Sequence, residues 1–307
     1  MKIFINKANE SWIVDRFRQE WIDSNSISFT SRPAKADIIW IIAPWTWQKL
    51  NKKILKLKKV VCTIHHIDFN KFDDVEKRNF YKREEYIDYY HAISEKTEKQ
   101  LLQITNKPII TMPFWGNENL FFEITDKTKL RKKYNIEESS YLIGSFQRDT
   151  EGSDLKSPKL SKGPDRFIKI ASEMYKSNSS LKVLLTGKRR NFIINNLEEL
   201  GIPYYYFDMV SFKELNELYN CLDLYLVTSR IEGGPAAIME CALSKTPIVS
   251  TDVGIAKEIL HEQSIFALEE VQKAKPELNT AYNNSLKYTI PEYFSLFNKI
   301  FFANNEN

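Results

Sequence analysis

The chain has 307 residues, 43% of them hydrophobic, and its 44 basic and 40 acidic side chains give a net charge of +4. This composition supplies a sizeable apolar core and excludes a disordered chain, and the length suits two domains of ordinary size or one large domain. The longest apolar run, at residues 38–47, is too short to span a bilayer, and no signal-peptide pattern opens the sequence. We therefore expect a soluble cytoplasmic protein with three buried thiols, at Cys62, Cys221 and Cys241.

The first half of the chain alternates short strand-like runs with helical patterns. Strands are predicted at residues 2–6, 37–43, 60–64, 91–94 and 109–112. Helices are predicted between them, at residues 11–22, 46–58, 75–87 and 95–105. Because strands that alternate with helices need crossover connections, we predict a mostly parallel sheet.

The pattern restarts after a polar, charged segment at residues 123–140, which is the candidate linker region. Further strands are predicted at residues 141–146, 182–186, 204–207, 223–228 and 247–250. Helices are predicted at residues 166–175, 191–200, 213–221 and 236–243, and an aromatic amphipathic helix at 293–302. We predict a second α/β unit and a division of the chain into residues 1–122, 123–290 and 291–307.

A basic stretch at Lys49–Lys59 contains six lysines interleaved with leucine and isoleucine. It is typical of a surface helix with a solvated basic face. The alternative is an interfacial helix that associates with anionic lipid and places the protein peripherally on the inner face of the membrane. No nucleic-acid partner is expected, because the net charge is only +4 and no nucleic-acid-binding module is visible.

Glycine is scarce and unevenly distributed. The nine glycines make up about 3% of the chain, against an average near 7%. Gly116 lies in the first 143 residues, and the other eight glycines lie between residues 144 and 254. This distribution excludes a P-loop and an N-terminal dinucleotide-binding fingerprint. A phosphate site that uses backbone amides is therefore expected in the second half.

The strongest functional pattern lies in residues 226–242, where a predicted strand leads through a tight loop into a helix that Pro235 opens. The free amides at the start of such a helix form an anion site, and glycines before it allow close approach of a ligand. Carboxylates in the loop and the helix can accept hydrogen bonds from sugar hydroxyls. The candidate residues for binding phosphate and hydroxyl groups are Glu232, Gly233, Gly234, Pro235, Ala236 and Glu240.

A second strand-to-helix connection has a similar pattern. Arg148 follows the strand predicted at residues 141–146, and Lys162 stands just before the next helix. Lys188 follows the next strand along the chain. Arginine can bind phosphate through two parallel hydrogen bonds, and lysine acts as a point charge. These cations would therefore flank the carboxyl edge of the sheet, where ligands of parallel α/β sheets bind.

These patterns resemble the family 4 glycosyltransferases, which have the GT-B fold. Glu232 and Glu240 match the family's Glu-x7-Glu signature, in the setting EGGPAAIMECALSKTPIVSTDVG. Arg148 and the Lys162-Gly163 pair resemble the family's donor-phosphate residues. The resemblance covers residues 141–261. It implies two Rossmann-like domains whose parallel sheets face a central cleft, and a C-terminal helix that crosses back to the first domain.

The resemblance also implies a retaining transfer from a nucleotide diphosphate sugar, without an obligatory metal or other cofactor. Arg148 and Lys162 would neutralise the donor diphosphate. Glu240 would hold the ribose hydroxyls, Glu232 would face the donor sugar, and the amides of residues 233–236 would take the distal phosphate and the sugar. Residues 1–122 would form the acceptor side, residues 123–290 would bind the donor, and residues 291–307 would return to the first domain.

The first half departs from the family pattern, because residues 6–11 stand where many members carry a glycine-rich loop. His65 and His66 end a predicted strand and resemble the family's histidine near the acceptor and the donor sugar. A structural role for either histidine is the alternative. His91 lies inside a predicted strand and is expected to be structural, and no role is expected for His261.

The favoured function is transfer of a sugar to a saccharide or lipid-linked glycan, in bacterial-type surface polysaccharide or glycoconjugate synthesis. One alternative is a nucleotide-sugar epimerase or a phosphorylase with the same fold. Another alternative is a non-catalytic nucleotide-sugar-binding protein. The intact set of Arg148, Lys162, Glu232 and Glu240 argues against the non-catalytic alternative.

Overall fold

A computed structural model describes residues 1–10 and 13–302 of the chain. The chain divides into two compact units, Met1–Phe114 with Ile290–Asn307 and Trp115–Thr289. Each unit contains one sheet of parallel strands, which confirms the predicted α/β fold class. Ser11 and Trp12, which open the first predicted helix, lie outside the described residues.

The sheet of the first unit has five parallel strands that follow one another in sequence order. These strands are β1 (Ile3–Ile5), β2 (Ile38–Ile41), β3 (Lys59–Ile64), β4 (Tyr89–Ala92) and β5 (Ile109–Thr111). The strand predicted at residues 91–94 starts earlier, at Tyr89, so that His91 lies inside β4. Parallel pairing follows from the helical crossovers that the sequence places between the strands.

The helices of this part of the chain are α1 (Ile13–Ser24), α2 (Lys52–Leu55), α3 (Asp74–Glu84) and α4 (Glu95–Leu101). Asp73 and Ser94 cap α3 and α4 by accepting hydrogen bonds from amides of the first turn. Leu55 of α2, Phe80 of α3 and Leu101 of α4 pack on one face of the sheet, against alternate residues of β2 and β3.

The basic stretch does not form the long helix predicted at residues 46–58. A 3₁₀ turn at Pro44–Lys49 is followed by the four-residue helix α2, which Asn51 caps. Part of its positive charge is used internally, because the Lys52 ammonium donates to the carbonyls of Trp47, Gln48 and Leu50. A continuous amphipathic helix is therefore excluded here by the turn at its start and by β3 at its end.

The sheet of the second unit has six parallel strands in the order β11-β10-β9-β6-β7-β8. They are β6 (Tyr141–Ser145), β7 (Leu181–Thr186), β8 (Tyr204–Phe207), β9 (Leu224–Val227), β10 (Ile248–Thr251) and β11 (Ile265–Phe266). The chain moves outward from β6 through β7 to β8, and then returns to the other side of β6 at β9. This reversal forms a topological switch point beyond the carboxyl ends of β6 and β9, the position at which open α/β sheets bind ligands.

Helices cover both faces of this second sheet. They are α5 (Lys127–Lys133), α6 (Pro164–Ser177), α7 (Asn191–Glu199), α8 (Phe212–Cys221), α9 (Ala236–Leu243), α10 (Ala256–Ile259) and α11 (Leu278–Ser285). Val183 and Leu184 are neighbours in β7 and point to opposite faces. Val183 packs in the core with Phe167 of α6, whereas Leu184 packs in the core with Leu218 of α8.

The final described segment packs in the first unit. The amphipathic helix predicted at residues 293–302 is shorter in the structure, where α12 (Phe294–Phe297) continues into a 3₁₀ turn at Asn298–Phe301. The rings of Phe297 and Phe301 contact Trp40 of β2, with centroid distances of 5.7 and 5.3 Å. The Trp21 indole donates to Asn298 Oδ1 at 2.9 Å. The segment thus supplies part of the aromatic core on the face opposite to α2, α3 and α4.

Cys62, Cys221 and Cys241 are buried free thiols, as predicted. Burial raises the pKa of Cys62 to about 11 and that of Cys221 to about 12, so these thiols are protonated at neutral pH. Within the described ranges, no helix has both the length and the apolar character that a bilayer crossing needs.

Candidate active site

The predicted site residues of the second unit lie at the switch point of its sheet. Arg148 and Lys162 belong to the loop between β6 and α6, and Glu232 belongs to the loop between β9 and α9. Since β6 and β9 are adjacent parallel strands, their following loops emerge side by side. The topology therefore brings together residues that are 70 positions apart in the sequence.

Close backbone packing joins the two loops. Gly163 has φ +64°, and a Cβ there would lie 1.9 Å from the carbonyl oxygen of Thr228. The Thr228 hydroxyl donates to the Gly163 carbonyl at 2.8 Å. Two more hydrogen bonds join the loops, since the backbone amides of Arg230 and Ile231 donate to the Ser161 carbonyl at 2.8 and 3.1 Å. A glycine is required at position 163, because no side chain fits between the two loops.

Lys162 and Glu232 form an ion pair at this junction. Both side chains are largely buried, with 22% and 8% of their surface exposed. The Ser229 hydroxyl lies 3.2 Å from the same Glu232 oxygen, and the Gln147 amide donates to the Lys162 carbonyl at 2.9 Å. Two residues that were predicted to touch different parts of a donor are therefore bound to each other in this structure.

Arg148 lies in the same loop, where its Nε donates to the Thr150 carbonyl at 2.9 Å. Burial lowers the pKa of the neighbouring Lys159 to about 8, and the positive charges of Lys162 and then Arg148 add to this effect. Lys188 is exposed in the loop after β7. In the described part of the chain, no hydrogen bond or ion pair connects Lys188 with the Lys162–Glu232 pair.

The loop between β9 and α9 contains Gly233 and Gly234, and this glycine loop leads directly into α9. Pro235 occupies the N-cap and Ala236 is the first helical residue, so α9 has the bounds predicted for this helix, residues 236–243. Gly254 has φ +49°, and a Cβ there would lie 2.3 Å from the Gly233 carbonyl oxygen. The loop after β10 therefore packs directly against the backbone of Gly233 and Gly234. This arrangement directs the free amides of the first turn of α9 toward the switch point.

Glu240 lies in the middle of α9 and is buried, with 6% of its surface exposed. The hydroxyl of Tyr219, from α8, donates to Glu240 Oε2 at 2.8 Å. Burial and the Glu240 carboxylate raise the pKa of Tyr219 well above its usual value, so the phenol keeps its proton and acts as a donor. Tyr219 therefore fixes the orientation of the Glu240 carboxylate.

A buried ion pair lies beneath the Arg148 loop. Arg190 Nε is 3.7 Å from Asp149 Oδ2, and 0% and 1% of the two side chains are exposed. Arg190 also donates to the Ser145 carbonyl at 2.6 Å. Burial raises the pKa of Asp149 to about 6, although the attraction of Arg190 lowers it in part. The pair therefore joins Arg190, at the N-cap of α7, to Asp149, which directly follows Arg148 in the loop.

His65 and His66 have different surroundings in the first unit. His65 Nε2 donates to the Ile42 carbonyl at 2.9 Å, because a carbonyl oxygen can only accept. Its ring stacks on Phe114 at 5.8 Å and lies 5.5 Å from Trp45, which is 46% exposed. His66 is exposed. The structure therefore holds His65 in one orientation at the carboxyl edge of its sheet.

His91 is fully buried and belongs to a chain of hydrogen bonds. The Trp40 indole donates to Thr63 Oγ1 at 2.8 Å, Thr63 Oγ1 lies 3.0 Å from His91 Nδ1, and His91 Nε2 donates to the Met112 carbonyl at 2.7 Å. Burial lowers the pKa of His91 to about 4, so the ring is neutral. This confirms the structural role that was predicted for His91.

Sequence reasoning missed Tyr219, Asp149, Arg190 and Lys159. The first three act through tertiary contacts between elements, and no local pattern distinguishes them from other buried residues. Lys159 could have been noted, because it stands three positions before Lys162 in the same loop.

Among the described residues, no group of three or more histidine, cysteine, aspartate or glutamate side chains is arranged to hold a metal ion.

The two sheets of parallel strands match the GT-B fold of solved glycosyltransferase structures. The family model described as "Glycosyl transferases group 1" matches residues 126–288, which is more than half of the chain. The chain therefore belongs to the group 1 glycosyl transferases and is a glycosyltransferase.

Several solved structures share the fold of this chain. HepE from Anabaena, in complex with UDP and glucose, is 13% identical with a TM-score of 0.76, over 98% of this chain and 99% of that one. Sucrose-phosphate synthase from Thermosynechococcus elongatus is 14% identical with a TM-score of 0.68, over 95% and 78%. TarM is 16% identical with a TM-score of 0.63, over 88% and 55%. No curated protein sequence matches the chain significantly.

Proposed function

We propose that this glycosyltransferase is a family 4 enzyme that transfers a sugar, with retention of anomeric configuration, from a nucleotide diphosphate sugar. The acceptor is a saccharide or a lipid-linked glycan, in the synthesis of a bacterial-type surface polysaccharide or glycoconjugate. The observation that carries the proposal is the convergence of Arg148, Lys162 and Glu232 at the switch point, beside the helix that carries Glu240. The HepE structures, which contain UDP, UDP with glucose, or UDP-glucose, support a nucleotide-sugar donor.

Each site residue has a part in the proposed reaction. Arg148 and Lys162 stabilise the negative charge that develops on the departing diphosphate, which is the electrostatic part of the catalysis. The amides of Gly233 and Gly234 and the start of α9 bind the distal phosphate and the sugar. Glu240, oriented by Tyr219, accepts hydrogen bonds from the ribose hydroxyls.

Glu232 would face the donor sugar, and its ion pair with Lys162 must open for this. A diphosphate offers Lys162 more negative charge than one carboxylate does, so it competes for the ammonium group. Donor binding would then release the Glu232 carboxylate toward the sugar hydroxyls. Lys188 would approach the donor from the loop after β7.

Binding of nucleoside diphosphates tests the donor site. A thermal-shift screen with UDP, GDP, ADP and dTDP, and with the matching nucleotide sugars, is expected to raise the unfolding midpoint for one base. Glu240→Ala is expected to abolish that shift, and Arg148→Ala or Lys162→Ala to lower the transfer rate severely. Wild-type turnover in all three variants would contradict the proposal.

The type of reaction is tested with the donor that this screen identifies. Transfer to a glycan acceptor with an unchanged anomeric configuration, measured by the proton coupling constant in NMR, is the expected result. An epimerised donor in the absence of acceptor would support the epimerase alternative. Because basic side chains take the role of charge stabilisation, we expect the rate to persist in a metal chelator.

We place the acceptor at the carboxyl edge of the first sheet, where His65 lies between Phe114 and the exposed Trp45. Aromatic faces of this kind can pack against the apolar face of a sugar ring.

We further propose that the enzyme works in the cytoplasm and associates peripherally with anionic membrane through the exposed Lys49, Lys53 and Lys56. Failure to sediment with phosphatidylserine vesicles would contradict the membrane association.

A further inference from the structure

The loop between β6 and α6 folds into a hairpin. Thr150 and Pro158 form an antiparallel bridge, and the Glu151 amide donates to the Ser157 carbonyl at 3.0 Å. At the base of the hairpin, the Lys159 amide donates to the Asp149 carbonyl at 2.7 Å. The hairpin therefore places Lys159 directly beside the segment that carries Arg148.

Lys159 is also fixed relative to Lys162. It precedes a 3₁₀ turn at Leu160–Lys162, and the Lys162 amide donates to the Lys159 carbonyl at 2.8 Å. Lys159 is the N-cap of this turn, and its ammonium lies close enough to that of Lys162 for the two charges to repel each other. Three cations, Arg148, Lys159 and Lys162, are thus gathered on one loop next to the switch point.

The Lys159 ammonium lies in an electrostatically unusual place. Its pKa is lowered to about 8, first by burial and then by Lys162 and Arg148, while Glu232 and Glu151 partly oppose this. Lys162 has Glu232 as its counter-ion, whereas Lys159 forms no ion pair within the described residues. A half-buried cation beside two other cations gains most from an anion with more than one negative charge.

We propose that Lys159 is a third cation for the donor diphosphate, and that it contacts the diphosphate together with Arg148 and Lys162. This inference rests on the proposed function, because it assumes that a nucleotide diphosphate binds at the switch point. A diphosphate beside Lys159 supplies the missing counter-ion, so the ammonium form is stabilised and its pKa rises on binding. Near pH 8 the protein is then expected to take up protons when the nucleotide binds.

Calorimetric titration separates this inference from the proposed function. The probe is whichever of UDP, GDP, ADP and dTDP binds most tightly, with its nucleoside as the uncharged reference. Lys159→Met is expected to weaken diphosphate binding at least tenfold and to leave nucleoside binding unchanged. Lys159→Arg, which keeps the charge, is expected to restore most of the affinity.

Lys156→Met is the matched control, since Lys156 lies exposed in the same hairpin and is expected to change the affinity less than twofold. Titrations at pH 8, in two buffers of different ionisation enthalpy, are expected to show proton uptake for the wild type and less uptake for Lys159→Arg. If Lys162→Met weakens binding while Lys159→Met behaves like Lys156→Met, the role of Lys159 is wrong and the donor site stands. If none of the four nucleotides binds, the donor site itself is wrong.

Discussion

Lys162 and Glu232 are bound to each other across the two loops that meet at the switch point, although both were predicted to bind the donor. Glu232→Gln removes the counter-ion and frees the ammonium group for a phosphate. We expect the affinity for the nucleoside diphosphate to rise by about threefold to tenfold, which corresponds to roughly 0.7–1.4 kcal/mol. We expect sugar transfer to fall in the same variant. Titration and a turnover assay measure the two effects.

Glu270→Gln is the control for that variant, because it opens an exposed glutamate–lysine pair with Lys273 elsewhere on the unit. It should alter neither quantity. A Glu232→Gln protein that binds the diphosphate more weakly than the wild type would show that the pair does not compete with the ligand.

Tyr219→Phe removes the hydroxyl that orients Glu240. The buried carboxylate loses a hydrogen bond, which costs about 1–3 kcal/mol, and part of this is expected as weaker binding of the nucleoside diphosphate. Affinity for inorganic pyrophosphate should not change, because it has no ribose. Tyr134→Phe is the matched control, since its hydroxyl also donates to a glutamate, Glu217. Equal effects of the two variants on nucleotide binding would argue against a positioning role for Tyr219.

Gly163→Ala tests how tightly the two loops are packed. The added Cβ would lie 1.9 Å from the Thr228 carbonyl oxygen, so the backbone has to move. We expect a loss of about 3 kcal/mol or more in the free energy of unfolding, and a loss of donor binding. Gly201 has the same φ of +64° with no atom within 4 Å, so Gly201→Ala should cost only about 1–2 kcal/mol. Denaturant titration of both variants separates the steric effect of the added Cβ at position 163 from the cost of an alanine at positive φ, which the two positions share.

Asp149 gives the stability of the protein a distinctive pH dependence. Native Asp149 has a pKa of about 6, above the value of 3.8 for an unperturbed aspartate, so the native state binds more protons between these values. Its contribution to the free energy of unfolding is therefore present below about pH 4 and is lost as the pH rises through 6. Asparagine does not titrate, so the stability of the wild type relative to Asp149→Asn should fall over this range, by an amount on the order of 3 kcal/mol. A difference that rises with pH would contradict this account.

His65 and His66 form a natural pair of variants in the first unit. His65→Ala is expected to lower sugar transfer by about tenfold or more, equivalent to roughly 1.4 kcal/mol, without changing nucleotide affinity. His66→Ala is expected to leave both unchanged, because His66 is exposed whereas His65 is held by the Ile42 carbonyl. Turnover and titration of the two variants would show which histidine takes part.

The sheets could be predicted from the sequence because buried parallel strands are short, apolar runs between helices. The run at residues 141–146 corresponds closely to β6 (Tyr141–Ser145). Residues 46–58 and 293–302 were predicted less well, although both have apolar residues at helical spacing. Spacing shows which side of a segment is buried, but 3₁₀ turns at Pro44–Lys49 and Asn298–Phe301 bury a similar set of residues.

Part of the candidate site could be predicted because it depends on local chemistry. Gly233, Gly234 and Pro235 mark a tight loop before a helix, and such a loop can be recognised from the residues themselves. Tyr219 and the Arg190–Asp149 pair could not be predicted, because their partners are set by the packing of α8 and α7 on the sheet. The ion pair of Lys162 with Glu232 depends on the order of β6 and β9, which no local pattern contains.

The packing of residues 294–301 against Trp21 and Trp40 has a consequence for synthesis of the protein. The second unit is continuous in sequence, so the ribosome delivers all of it before the first unit has its full aromatic core. The first unit begins to emerge first and is completed last. Domains generally fold as units when their residues are available, so the first unit can complete its core only after the whole of the second unit has been synthesised.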